Sequence, residues 1–289
     1  MQHKIDSFTN HEGLKIHTER WLPDVEPTAV VIIVHGHAEH IGRYTHVVDA
    51  LVKQGWAVYG LDHKGHGKSE GVRALFKSIK QEPVKDLRQY FELIRAQHPD
   101  LPIAILGHSM GSVISLMYTL EYQNDLAALV VTGTATRGEE LLSRPLLIMA
   151  QVLGTLTPRI RVSRGSEPLT TDPEVNHAFE EDPLVVHGAM RAGMGWAIIK
   201  AGREINERAH ELTLPLLIGH GEEDGITPIS GSYTVYERAS SAHKRLLTYP
   251  GMRHEIMNEP IQDQVLADII GWLRDHLPKH EAASPEPIV

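Results

Sequence analysis

No cysteine occurs anywhere in the 289 residues, which excludes a disulfide framework and a thiolate metal centre at once. Positive charge is also short: 28 Lys and Arg face 37 Asp and Glu, a formal net charge of −9. A surface of that sign repels phosphate, so nucleic acid is not an expected partner. Long hydrophobic runs are missing as well. The longest nearly apolar stretch, PLLIMAQVLGTL at 145–156, is little more than half of the roughly 20 residues that a bilayer span requires. It can touch a membrane but not cross one. The opening MQHKIDSFTNHEGLKIHTER carries no apolar h-region, so no secretory signal is read and a cytoplasmic location is expected.

What is present is a chain with 42% hydrophobic residues, enough for one large core or a core carrying an insertion. Short unbroken apolar runs at 29–34, 56–61, 103–106, 126–131 and 214–218 read as strands buried on both faces. Between them lie helical spacings. Tyr44, Val47, Val48, Leu51 and Val52 follow i, i+3, i+4, i+7, i+8, and Leu87, Tyr90, Phe91 and Ile94 repeat the rule. This alternation predicts an α/β fold with a mostly parallel, doubly wound sheet. LKIHTERW alternates instead, which suits an antiparallel edge strand; KRLLTYP reads as a last strand, and Ile261, Val265, Ile269 and Leu273 mark a closing helix.

The segment 136–209 breaks the alternation. It has helix-like apolar patches at 141–156 and 190–199, and turn chemistry at Thr157-Pro158, 165–168 and Asp172-Pro173. It is expected to be a cap inserted over the carboxyl edge of the sheet, where open α/β folds bind ligands. Residues 1–135 and 210–289 are expected to form the core, with 277–289 a loosely attached tail.

The run at 103–106 leads into Gly107-His108-Ser109-Met110-Gly111, and the helical spacing Val113, Leu116, Met117, Leu120 comes at once after it. This is G-x-S-x-G in its required context, strand before and helix after. The chain must turn so sharply there that Ser109 takes a strained backbone, and glycines at 107 and 111 let strand and helix come close. A serine hydroxyl is a weak nucleophile until a base takes its proton, and the base needs a carboxylate to fix its tautomer. In this fold the order is serine, acid, histidine, on loops after later strands. GHGEEDGITP offers Glu222, Glu223 and Asp224, of which Asp224 beside Gly225 best suits a tight turn; GMRHE offers His254. His243 precedes its strand and so sits at the wrong edge.

Together, HGHAEHIGRY, LDHKGHGKSEG, GHSMG, HGEEDGITP and YPGMRHEIMNEP resemble the successive signature blocks of the monoacylglycerol lipase branch of the α/β-hydrolases, in order and spacing, over roughly residues 10 to 275. The resemblance implies a serine hydrolase of fatty-acid monoesters of glycerol, working through an acyl-enzyme under a mobile cap that admits the lipid. A broader carboxylesterase or lysophospholipase would share the same machinery. The resemblance makes Ser109 the nucleophile, Asp224 the acid and His254 the base. It also implies that the backbone N–H groups of His37 and Met110 form the oxyanion hole, each such donor being worth roughly 10²–10³ in rate. The family's usual residue at the first of these is small or apolar, so His37 is a departure. Glu39 and Arg43 match positions near the glycerol-leaving side; an i, i+4 ion pair is their competing reading.

Three look-alikes compete with this chemistry and fall short. His35, His37 and His40 need to converge to hold a metal, which Gly36 and the next helix oppose. Gly67-Lys68-Ser69 resembles the end of a phosphate-binding loop, but Asp62 stands where the first glycine belongs. His254-Glu255 begins like a zinc-protease helix, yet the second histidine is replaced by Asn258. No cofactor is therefore expected, and the partner is a small lipid ester. Arg144, Arg159, Arg161 and Arg164 among the apolar cap residues suggest transient contact with an anionic membrane or micelle surface; a solvated cap face is the alternative.

Overall fold

The computed structural model describes residues 1–162 and 167–277. The expectations for Arg164, Gly165 and residues 278–289 lie outside the described residues. Leu277, which the sequence reading assigns to the loose tail, is instead buried against the core.

Eight strands form the main sheet: β1 (Gln2–Thr9), β2 (Lys15–Leu22), β3 (Ala29–Val34), β4 (Trp56–Leu61), β5 (Ile103–His108), β6 (Ala128–Thr132), and then, after a small hairpin of β7 (Arg161–Val162) and β8 (Met190–Arg191), β9 (Leu216–Gly221) and β10 (Lys244–Tyr249). Their order is β1-β2-β4-β3-β5-β6-β9-β10, antiparallel where β1 meets β2 and β2 meets β4, parallel elsewhere. Every residue of β3 is buried. Val30, Ile32 and Val34 join the apolar cluster on one face of the sheet, while Val31 and Ile33 join the other. An unbroken aliphatic run is what a strand sandwiched between two helical layers needs, each such side chain contributing about 1.5–3 kcal/mol by burial.

The helices are α1 (Thr45–Val52), α2 (Pro83–Gln97), α3 (Met110–Tyr122), α4 (Arg144–Leu156), α5 (Pro173–Glu181), α6 (Ala192–Arg208), α7 (Ser230–Arg238) and α8 (Gln262–His276). α1 and α8 cover one face through Val47, Val48, Leu51, Val265, Ile269 and Leu273; α2 and α3 cover the other through Leu87, Phe91, Val113 and Met117.

Two elements differ from the sequence reading. β1 is unexpected, because QHKIDSFT is mostly polar; it is an exposed edge strand whose ladder with β2 runs from Gln2↔Leu22 to Thr9↔Lys15. Asp172-Pro173 reads as a turn but starts α5: the Asp172 carboxylate accepts the Glu174 N–H and proline occupies the first turn, a combination that opens helices as readily as it makes turns. Between β6 and β9 lie α4, α5 and α6. The last of these is not confined to a cap, since Ile198, Ala201 and Ile205 belong to the core cluster on the α3 side.

The strand order sets the site. β3 has β4 on one side and β5 on the other, so the chain reverses winding between β3 and β5 and leaves a crevice at their carboxyl ends. The loop after β3 and the turn after β5 meet there.

Candidate active site

Ser109 joins β5 to α3 with φ 55 and ψ −118, the left-handed strain expected of the G-x-S-x-G turn. Close packing explains Gly111. A Cβ there would lie 1.9 Å from the Val34 carbonyl oxygen at the end of β3. The helix can therefore start directly beneath the neighbouring strand only if that position has no side chain.

The structure brings the three separated residues together. Ser109 Oγ lies 2.8 Å from His254 Nε2, and His254 Nδ1 lies 2.8 Å from Asp224 Oδ2. Asp224 is held by its own turn, its Oδ1 accepting the N–H groups of Ile226 and Thr227 and its Oδ2 the Thr227 hydroxyl. Burial alone would raise the Asp224 pKa, but the charge of His254 and the hydrogen bonds from His220 and His254 outweigh it and hold the carboxyl far below its ordinary value. Burial likewise works against a charged His254, yet Asp224 prevails and raises that imidazole above 6.5. The rejected acids are turned away: Glu222 and Glu223 are exposed, Glu222 accepting from Thr248. His243 packs against His276 at the far edge.

The loop after β3 lies over this turn. A Cβ on Gly36 would come within 3.2 Å of Ser109 Cβ, so the Gly36–His37 peptide borders the serine. Two groups fix the backbone on either side of Gly36. His35 Nδ1 donates to Gly36 O at 2.8 Å, and Glu39 Oε1 accepts the Gly36 N–H at 2.6 Å. Ala38 comes next with φ 70, a further strained residue beside the site. The His37 N–H thus sits on a pinned backbone next to the nucleophile turn, and Met110 supplies the first N–H of α3.

A model of the serine aminopeptidase S33 family matches residues 25–261. The chain belongs to this family. It has the α/β-hydrolase fold and falls in the monoacylglycerol lipase branch of that superfamily. A monoacylglycerol lipase from Mycolicibacterium smegmatis is 40% identical over 94% of this chain and 97% of its own. The solved monoacylglycerol lipase of Paleococcus ferrophilus superposes with a TM-score of 0.82 at 27% identity, over 90% of this chain and 99% of that one. A soluble variant of the monoglyceride lipase from Saccharomyces cerevisiae, solved with a substrate analogue, shares the fold with a TM-score of 0.84 at 23% identity, over 97% of both chains.

In this S33-family chain, Glu39 and Arg43 are engaged by protein partners. Arg43 Nη1 lies 2.9 Å from Glu39 Oε2, the i, i+4 ion pair, and Arg43 makes a two-pronged contact with Glu255 at 2.7 and 2.8 Å. Tyr44 donates to Glu39 at 2.7 Å and Asn258 to Glu255 at 2.7 Å. Burial would raise the Glu255 carboxyl, but Arg43 brings it down to about 2. The network ties the loop carrying His37 to the loop carrying His254. Sequence reading misses Glu255, Asp182 and His220 as members of the site. Only the adjacency of Glu255 to His254 and the spacing of His220 from Asp224 hint at two of them, and no local signal marks Asp182.

The clustered histidines also find their places. His40 Nε2 is 2.8 Å from Asp182, beyond α5. His35 Nε2 accepts the His63 N–H at 3.0 Å. His37 meets the edge of His66, ring centroids 5.8 Å apart, and burial beside His35 lowers its pKa to about 4. Each imidazole faces a different partner. The look-alike phosphate loop is anchored by Asp62, which accepts the N–H groups of Ile41 and Lys68.

Proposed function

We propose that this chain cleaves monoacylglycerols to glycerol and fatty acid through an acyl-enzyme on Ser109. The observation that carries the reading is the Ser109–His254–Asp224 relay, with both contacts at 2.8 Å, at the crevice of an α/β-hydrolase sheet. In this mechanism His254 Nε2 takes the Ser109 proton as Oγ attacks the ester carbonyl. The N–H groups of His37 and Met110 receive the oxyanion, a charge present only in the transition state. The imidazolium, oriented by Asp224, gives its proton to the departing glycerol oxygen. Water then attacks the acyl-enzyme with His254 again as base; the bond from the acyl carbon to Ser109 Oγ breaks, Oγ takes the proton back from His254, the fatty acid leaves, and Asp224 stays ionised throughout. The low pKa of Asp224 supports that last assignment.

The lipid class is supported by the relatives' names and by the segment 136–209, which we read as the cap. Contacts that fasten it to the site loops include Asp182 to His40, the Val186 N–H to the Ala38 carbonyl, the Leu169 carbonyl to the Glu255 N–H, and Thr171 to Glu259. α4 turns Leu146, Ile148, Met149, Val152 and Leu156 to solvent, Leu156 at 75% exposure. Exposed Arg144, Arg159 and Arg161 border that face. An apolar face rimmed by cations suits transient contact with an anionic lipid surface. No helix among the described residues is long and apolar enough to cross a membrane.

The test is a panel of monoacylglycerol, diacylglycerol, triacylglycerol, lysophospholipid and short p-nitrophenyl esters, run on wild type and Ser109→Ala with fluorophosphonate labelling alongside. Monoacylglycerol is expected to be turned over best, and Ser109→Ala is expected to lose both turnover and label while keeping its fold. Near wild-type hydrolysis by Ser109→Ala would overturn the mechanism. Lysophospholipid turned over best would move the substrate assignment. Equal, negligible partitioning to anionic and neutral vesicles would remove the membrane contact.

A further inference from the structure

Behind the relay stands a second imidazole that the proposed chemistry does not use. His220, at the end of β9, is fully buried, and its Nε2 lies 3.1 Å from Asp224 Oδ2, the oxygen that also faces His254. The same Nε2 is 3.2 Å from the Thr227 carbonyl oxygen. Two acceptors around one ring nitrogen require a proton on it. On the other side, Ser232 on α7 places its hydroxyl 2.7 Å from His220 Nδ1. With Nε2 protonated, Nδ1 is left to accept the Ser232 O–H, so the serine completes the tautomer that Asp224 and Thr227 set. The arrangement has the order of the relay itself: a hydroxyl, an imidazole, the shared carboxylate, the second imidazole and the nucleophile.

We propose that His220, set by Ser232, is a positioning residue that holds the Asp224 turn and tempers the pull of Asp224 on His254. The proposal rests on the Ser109–His254–Asp224 reading. The Nε2–H holds the Thr227 carbonyl, and Thr227 in turn gives its N–H and hydroxyl to Asp224. The positive edge of the ring faces Oδ2 and offsets part of its charge. In a buried site such a dipole is poorly screened. Without it, Oδ2 acts more strongly on His254 and favours the imidazolium, which cannot take the proton from Ser109.

Other charged or titratable groups facing His254 are few. His108 packs against it from β5 with ring centroids 4.8 Å apart, and burial holds His108 down to about 4. Glu39 faces it from the loop after β3, and Glu255 from its own loop, paired with Arg43. None of these touches Asp224 Oδ2, so a perturbation at His220 reaches His254 through Asp224 and through Thr227, whose hydroxyl lies 3.3 Å from His254 Nδ1.

The experiment compares His220→Leu, His220→Gln and Ser232→Ala with wild type by the pH dependence of kcat/KM and by the low-field proton resonance of the His254 Nδ1–H. His220→Leu is expected to lose roughly tenfold in kcat with little change in KM, as one hydrogen bond to the acid's turn is removed. Its acid limb should move upward by on the order of half a pH unit. His220→Gln, which keeps an N–H on that side, should recover most of both. Ser232→Ala never touches the relay, yet should move the acid limb and the resonance in the same direction by a smaller amount. Should His220→Leu fail to fold, Ser232→Ala carries the test alone. A Ser109→Ala control separates the two levels. Retained turnover there overturns the relay reading and this proposal together. Abolished turnover there, with acid limb and resonance unmoved in the folded His220 and Ser232 variants, overturns the role of His220 alone.

Discussion

Replacing Arg43 with methionine tests whether the ion-pair network holds the site together. The substitution keeps an unbranched chain of similar length and removes the charge. In the native protein the Arg43 and Glu255 side chains are 10% and 5% exposed, and Glu39 is 4% exposed. Glu255 is lowered from 4.5 to about 2 because the Arg43 charge outweighs its burial. By linkage, that depression corresponds to about 3 kcal/mol of stability at neutral pH. The sign is set by the direction of the shift. The contribution is fully present above pH 4.5 and disappears as pH falls toward 2. In Arg43→Met the carboxylate stays buried with its charge uncompensated, and breaking a buried pair in this way costs about 3–5 kcal/mol. A loss of roughly 10 °C in Tm is expected at pH 7 for a chain of this size. Because Glu255 can then take up a proton, the cost should shrink as pH is lowered from 5 to 3.5. Urea unfolding of both proteins across that range reads the effect directly. A cost under about 1 kcal/mol at pH 7, the scale of an exposed pair, would refute this role of Arg43. So would a cost that stays the same at pH 3.5.

Two other outcomes are expected from the geometry. Gly111→Ala puts a methyl 1.9 Å from the Val34 carbonyl, so it should destabilise by roughly 3 kcal/mol or more and lower activity in the folded fraction; near wild-type urea stability would contradict the close approach of α3 to β3. Since the pKa of His254 is raised above 6.5 and the base must be unprotonated, kcat/KM should fall as pH drops through a midpoint above 6.5, measured by pH-stat titration of released acid. A midpoint below 6.5 would mean that Asp224 does not dominate the environment of His254.

The parts legible in the sequence are those where one local pattern decides the outcome. The aliphatic run of β3 is readable because both faces of that strand are buried, and the serine turn because strand, strained residue and helix are contiguous. β1 escapes because an exposed edge strand is selected by its ladder with β2 rather than by apolar spacing. α5 escapes because an Asp-Pro pair opens either a turn or a helix, and here the Asp172 side chain caps the helix. The network is illegible for a different reason. Arg43 and Glu255 stand 212 positions apart, and His40 and Asp182 stand 142 apart; a charge pattern within one segment cannot report a partner supplied by another loop. Glu39 and Arg43 show the consequence. Their spacing fits both a substrate contact and an i, i+4 pair, and only the presence of Glu255 beside His254 explains why two charged residues are buried there. The loop histidines obey the same logic. His35, His37 and His40 look like a ligand set while they are adjacent letters, but their partners are a peptide carbonyl, a neighbouring imidazole and a carboxylate beyond α5. What the segment needs from them is a backbone held in one conformation beside Ser109: His35 and His37 pack it against the loop after β4, and His40 ties it to Asp182.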